Sequence, residues 1–361
     1  MTPRSVTTTP LRYRGAALAL AAAVLFGASP PLAKSLLRVV DPQILAGLLY
    51  LGSGTGLAAY WLAKRQRQEV PLDRRDVPWL AGAIAFGGVL APLLLMIGLA
   101  RTPASGASLL LNLEGVFTAL IAWFVFRENV DRRIALGMLS IVAGGLVLSW
   151  QGYSSWGGAL GPAAVAAACL CWAIDNNLTQ KVSGGDPVQT ALLKGLVAGA
   201  VNTAIAMSRG AALPTAGPLA VALVIGFLSY GVSLVLFVLA LREVGTARTG
   251  AYFSTAPFVG AVLSLLALHE RPSTGLVVAG SLMAIGVGLH LSERHAHPHT
   301  HELMEHDHPH VHDEHHRHEH GGDDPPVTDP TPHTHRHRHG ILTHSHPHYP
   351  DLHHRHEHPQ G

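Results

Sequence analysis

Gly98 to Glu128, GLARTPASGASLLLNLEGVFTALIAWFVFRE, returns later in the chain as Ala240 to Glu270, ALREVGTARTGAYFSTAPFVGAVLSLLALHE. Each copy passes from a helix end through an apolar run to a closing Glu, and the two are offset by 142 residues. A weaker echo pairs Leu25-Phe26-Gly27-Ala28-Ser29 with Cys171-Trp172-Ala173-Ile174-Asp175 at an offset of 146, so the duplication spans both halves of the chain. Internal hydropathy symmetry of this kind marks membrane proteins built from repeats. Composition agrees: 48% of residues are apolar and 13% charged, with a mean hydropathy of +0.28, whereas a soluble domain carries about a quarter of its residues charged.

Most of the charge sits in the N-terminal arm, the short loops and the C-terminal tail. Between them the sequence predicts ten apolar stretches, at 15–37, 42–63, 77–100, 104–126, 133–150, 160–181, 188–208, 217–241, 246–268 and 273–291. Each is close to the roughly 20 residues a helix needs to cross a bilayer. The expected fold is therefore an all-α integral membrane protein of ten transmembrane helices. Its organisation is a cytoplasmic arm 1–14, a five-helix repeat 15–150, a second five-helix repeat 157–291 and a disordered His-rich tail 292–361. The first apolar run is longer than a secretory core and has a counterpart in the second half, so it is expected to be retained.

Cytoplasmic loops carry the excess of Lys and Arg. With the N-terminus inside, the inner segments hold 14 such residues and the outer loops four, namely Arg38, Arg101, Arg209 and Arg271. Both termini are thus expected in the cytoplasm of a multi-pass protein of the cell (inner) membrane. Five spans per half is odd, so the second repeat enters with the opposite orientation, giving inverted repeats.

Ala107-Ser108-Leu109-Leu110-Leu111-Asn112-Leu113-Glu114-Gly115-Val116-Phe117-Thr118-Ala119, leading to Ala122-Trp123 and Phe126-Arg127-Glu128, resembles the fourth-helix signature of the drug/metabolite transporter superfamily, EamA branch. Thr249 to Glu270, with Pro257 and the closing His269-Glu270, is similar to the same signature in the second repeat. The resemblance covers residues 15–291 and implies ten helices in two repeats, with export or exchange of small metabolites at a site between them. One departure stands out: the family usually carries a proline near position 115, as Pro257 does in the second copy, and here Glu114-Gly115 replaces it.

Glu114 is the leading site candidate. It falls about ten residues into its span, near the bilayer midplane, where a carboxylate costs about 2.5–3.5 kcal/mol on insertion scales and marks function by default. A group that takes a proton on one side and releases it on the other is a candidate coupling site; the bland alternative is a protonated carboxyl hydrogen-bonded to a neighbouring helix, with Asn112 adding local polarity. Asp175, Asn176 and Asn177 occupy consecutive positions and spread around a helix, so at least one should face the interior. Lys194, on the next helix at matching depth, is the expected ion-pair partner of Asp175, unless it snorkels to the interface. Ser29-Pro30-Pro31 should break the first span, at positions matching Asp175-Asn176-Asn177, and paired discontinuities point to a substrate site. Pro257 completes the list, and the glycine clusters 52–56 and 195–199 are expected to allow close helix contact.

The tail holds 23 of the 25 histidines. His295, His297, His299, His301, His306, His308, His310, His312, His315, His316, His318 and His320 are candidate ligands for a divalent metal, Zn, Ni or Co. Two readings of that tail stay open: it feeds metal to an exporter, or it buffers or senses metal beside a transporter of another metabolite. A solubilising or pH-responsive tail is the third, and for the whole chain the alternative to a transporter is a membrane-anchored metal buffer or sensor without transport. No cofactor is required, and nothing in the spans supports an enzyme. The expected partners are the lipid bilayer, a small-molecule or ion substrate and a second copy of the chain in a homodimer; no nucleic acid is expected.

Overall fold

The structure is a computed structural model describing residues 9–64, 77–126, 132–150, 156–179, 187–244, 246–291, 295–301, 304–310, 333–339 and 342–348. It divides into two units, 1–292 and 293–361.

The first unit is helical. Its elements are α1 (Thr9–Gly27), α2 (Ser29–Leu36), α3 (Pro42–Lys64), α4 (Val77–Ala83), a π-helical segment (Ile84–Leu90), α5 (Ala91–Arg101), α6 (Ala104–Leu110) and α7 (Leu113–Phe126). After α8 (Arg132–Trp150) the same order returns: α9 (Trp156–Thr179), α10 (Pro187–Ser208), α11 (Ala216–Gly226), a second π-helical segment (Phe227–Val232), α12 (Ser233–Val244), α13 (Thr246–Phe253), α14 (Ala256–Ala267) and α15 (Thr274–Leu291). Among the described residues nine helical stretches are long and apolar enough to cross a membrane. The last expected span is shorter, apolar over Thr274–Leu289. Helix α1 begins at Thr9, inside the segment expected to be an arm, with Pro10 in the first turn where its missing N–H costs nothing.

Small residues bring the helices together. A Cβ on Gly54 would lie 2.6 Å from Leu196 N, and one on Gly195 would lie 2.8 Å from the Gly54 backbone. Gly54 and Gly195 therefore serve the α3–α10 contact, while Gly52 and Gly56 face Leu223 and Phe227, as close approach without side chains requires. Around this interior the outward face is apolar: Phe124 is 70% exposed, Leu266 68% and Leu139 65%. Such a belt suits lipid tails and would not suit water.

The breaks in the helices are patterned. Helix α1 stops at Gly27, and Pro30 and Pro31 sit in the first turn of α2. The α6–α7 break falls at Leu111–Asn112, where Leu111 N and Asn112 N donate to Ser108 O and Leu109 O in three-residue turns. The α13–α14 break falls at Ser254–Thr255, just before Pro257. Without a proline near 115, the first repeat thus breaks its helix by tightened turns at the position equivalent to the second repeat's break. The two π-helical segments also occupy equivalent places in the two repeats. Helix α9, by contrast, runs unbroken through Asp175, Asn176 and Asn177. The expected pair of matching discontinuities is therefore corrected: Ser29-Pro30-Pro31 is broken and its counterpart is not, because Asn and Asp leave every backbone donor in place whereas two prolines remove theirs.

In the second unit, β1 (His295–His301) pairs antiparallel with β4 (Leu342–His348), and β2 (Met304–His310) with β3 (His333–His339).

Candidate functional site

Four of the broken or π-distorted spans meet the unbroken α3, α9 and α10 at one cavity of about 410 Å³, lined by Phe26, Tyr50, Glu114, Trp172, Lys194 and Tyr230 among others. The π-helical turns explain why the site forms there. A π-turn displaces carbonyls from the regular helical ladder, and buried carbonyls must find donors. Gly87 O accepts from both Tyr50 Oη at 2.8 Å and Trp172 Nε1 at 3.0 Å, and Val89 O accepts from Asn202 Nδ2 at 3.1 Å. The distorted helix thus anchors α3, α9 and α10 around the cavity. Gly87 is needed for the approach: a Cβ there would collide with the Asp175 carboxylate.

One wall is a chain of rings. Phe237 lies 4.9 Å from Phe253, Phe253 5.4 Å from Phe26, Phe26 5.8 Å from Tyr230, and Tyr230 5.6 Å from Tyr50, centroid to centroid. These spacings fall in the range of favourable ring contacts. Tyr230 Oη also lies 3.3 Å from Ser29 Oγ.

The polar groups share the same cavity. Glu114 Oε1 accepts from Asn176 Nδ2 at 2.9 Å, joining α7 to α9. Lys194 is ion-paired with Asp175, whose other oxygen accepts from Thr179 Oγ1 at 3.0 Å. The pair sits at the boundary of the cavity, Lys194 lining it and Asp175 buried behind. Lys194 is therefore neutralised, and Glu114 meets an amide rather than a cation. A second chamber of about 270 Å³, lined by Asn112, Gly115, Ile141, Pro257 and Val287, shares Phe26, Glu114 and Phe253 with the first. Glu114 is thus placed between two compartments.

The structure gathers Glu114, Asn176 and Lys194 at the larger cavity, with Asp175 behind, and Asn112 and Pro257 at the smaller. Asn177 turns away, its Nδ2 donating to Ala173 O at 2.8 Å, and Asn112 Nδ2 donates to Leu109 O at 2.8 Å across the α6–α7 break. Ser29, Pro30 and Pro31 are buried beside the site rather than lining it. The aromatic wall went unread in the sequence. Its signal was that Tyr50 and Tyr230 lie deep within their spans, far from the interfaces where tyrosines usually anchor.

The lining residues run from mid-bundle to the end where α9 meets α10, with Lys194 in the second turn of α10. At the opposite end α6 packs on α14. In the tail, the ladders align His295 with His348, His297 with His346 and His299 with His344, and His306 with His337, His308 with His335 and His310 with His333. His301 lies opposite Leu342. His312, His315, His316, His318 and His320 lie outside the described residues. Among the described residues no three His, Cys, Asp or Glu side chains gather as a metal cage.

A helical bundle of two repeated halves around a midplane cavity is a transporter architecture, and the comparison with known families decides which. Residues 13–150 and 159–292 each match the EamA-like transporter family. The chain belongs to that family. An uncharacterized transporter of Methanothermobacter thermautotrophicus is 30% identical over 287 residues, covering 74% of this chain and 83% of its own. The probable 4-amino-4-deoxy-L-arabinose-phosphoundecaprenol flippase subunit ArnE of Pseudomonas paraeruginosa is 46% identical over 114 residues, 30% of this chain and 95% of its own. A protein of known crystal structure shares the fold with a TM-score of 0.58 at 20% identity, over 76% of this chain and 97% of its own. This EamA protein is a multi-pass membrane transporter of small substrates and not an enzyme.

Proposed function

We propose that this EamA protein is a secondary exporter of small metabolites working by alternating access, and that the structure represents its cytoplasm-facing state. Ten spanning helices, α15 being the tenth, form two inverted five-helix repeats with both termini in the cytoplasm. The 14-to-four distribution of Lys and Arg supports that orientation, placing the Lys194 end inside.

The observation that carries the reading is Glu114, held by Asn176 between two chambers in the middle of the bundle. Lys194 is paired with Asp175, and the Glu114 carboxylate takes its hydrogen bond from the neutral Asn176 amide. A carboxyl group so placed takes a proton or a positively charged substrate, and one excludes the other. The ring wall of the same cavity suits an amine-bearing molecule with an apolar body, since ammonium groups are attracted to ring faces. The ArnE relative's name, which specifies an amino sugar on a lipid carrier, supports testing amines first. The test is proton release from acidified inside-out vesicles on addition of a panel of amines and amino acids. Release with the parent chain and none with Glu114→Gln is expected; equal release by both removes Glu114 from the mechanism.

The tail supports a second activity. The aligned histidines of the two ladders offer paired imidazoles for Zn, Ni or Co. We read it as a cytoplasmic metal-binding appendage. Uptake of radiolabelled nickel and zinc into the same vesicles, with the full chain and with one ending at Leu291, separates metal export fed by the tail from buffering: uptake that falls with Glu114→Gln makes the metal a substrate.

A further inference from the structure

Glu270 closes the second copy of the repeated motif, three residues beyond the end of α14. Its carboxylate reaches across to the first repeat. Oε1 accepts from Ala104 N at 2.7 Å, and Oε2 accepts from Ser105 N at 3.0 Å and from Ser105 Oγ at 2.5 Å. These are the first residues of α6, whose amides have no partner within the helix, and a carboxylate is favoured at that end. The bond could have been made by a residue of the same repeat, as an ordinary N-cap is. Here Pro103 precedes α6 and supplies no side-chain cap, so the cap comes from 166 residues away.

A second contact sits beside it. Lys34, near the end of α2, donates to Leu99 O and, at 3.0 Å, to Thr102 O, the carbonyls where α5 ends. Beneath these contacts α14 is pressed onto α6 and α1: a Cβ on Gly260 would lie 2.7 Å from Gly27 O and 2.8 Å from Ser108 Oγ. Ser108 is fully buried there. The four chain segments closing this end are thus tied by one carboxylate and one ammonium, while the cavity lies between this end and the Lys194 end.

We propose that Glu270 is the latch of this end of the carrier, with Lys34 holding the α5–α6 corner it grips, and that opening to the opposite face requires the Glu270 carboxylate to leave the α6 N-terminus. The contact is suited to that part. It joins the two repeats, so it must break if they rock apart, and each of its bonds is charge-assisted, so its loss shifts the balance between the two states. Both partners regain water when the end opens, which keeps the open state within reach. The inference concerns a gate and is independent of which substrate is carried.

The test needs no substrate. In a chain with Cys169→Ser, Cys171→Ser and Ser108→Cys, reaction with a membrane-impermeant maleimide is followed from each face of the membrane separately. Ser108→Cys lies under the latch and is expected to be protected. Glu270→Gln should raise its labelling rate roughly tenfold from the Glu270 side, the size expected for losing charge-assisted bonds, and Glu270→Asp and Ser105→Ala should raise it less. Unchanged labelling overturns the proposal. Faster labelling from both faces would show that the carboxylate merely stabilises the helix, and also overturns it. Should Glu270→Gln fail to fold, Ser105→Ala alone decides, since it removes a single hydroxyl contact and leaves the capped amides in place.

Discussion

Replacing Lys194 with Met removes the cation and keeps most of the side chain's length, leaving Asp175 with the hydroxyl donor of Thr179 Oγ1 among the described residues. The Asp175 side chain is 5% exposed and that of Lys194 20%. Breaking a buried pair by removing one partner costs about 3–5 kcal/mol. Because the cavity wets the lysine end of the pair, the lower value of about 3 kcal/mol is expected for Lys194→Met. Asp175→Asn should cost less, about 1–2 kcal/mol, since the uncompensated ammonium opens on water. The double variant removes both charges, so it should recover most of the loss. At about 2 °C per kcal/mol for a body of this size, the lysine variant should melt about 6 °C lower in detergent and the double variant within about 2 °C of the parent. Thermal unfolding of the four purified proteins by size-exclusion stability gives the coupling directly. A double variant as unstable as the sum of the two single ones would refute the reasoning, because the charges would then be acting independently.

Tyr50→Phe should cost about 1 kcal/mol, since Gly87 O keeps the Trp172 Nε1 bond; a change several times larger would mean that Tyr50 does more than hold the π-helical turn. Gly54→Val should separate α3 from α10 and abolish a monodisperse peak, given the 2.6 Å approach to Leu196 N; normal behaviour would show that the contact can give. Asn176→Ala should slow exchange at Glu114 without unfolding the bundle, as it removes the 2.9 Å bond that orients the carboxyl group; full transport by this variant would separate the two residues. A chain ending at Leu291 should keep the thermal stability of the first unit and lose binding of nickel and zinc measured by calorimetry, because the two units are internally compact; retained metal binding would place the sites elsewhere.

How much was legible in the sequence depends on what kind of interaction sets each feature. Span positions follow from hydropathy, because a bilayer admits only apolar segments whose backbone bonds are met internally, and that demand is local. The duplication of Gly98–Glu128 in Ala240–Glu270 carried the two-repeat organisation for the same reason. Glu114 stood out as a carboxyl group in an apolar run, and Asp175 and Lys194 as opposite charges at one depth. The ring wall did not, since Phe26, Tyr50, Tyr230 and Phe253 are ordinary apolar-run residues until four helices bring them together.

What the sequence alone determined was the membrane-spanning class, the doubling of the motif and the residues whose charge is costly at depth. Tertiary structure decided the rest. It selected Asn176 over Asn177 as the partner of Glu114, because helical rotation against α7 settles which side chain faces the cavity. It placed breaks at Leu111–Asn112 and Ser254–Thr255 and left α9 whole, and it sent Glu270 to the start of α6. These are contacts between segments distant in the chain, and their energies depend on distances that no local pattern contains.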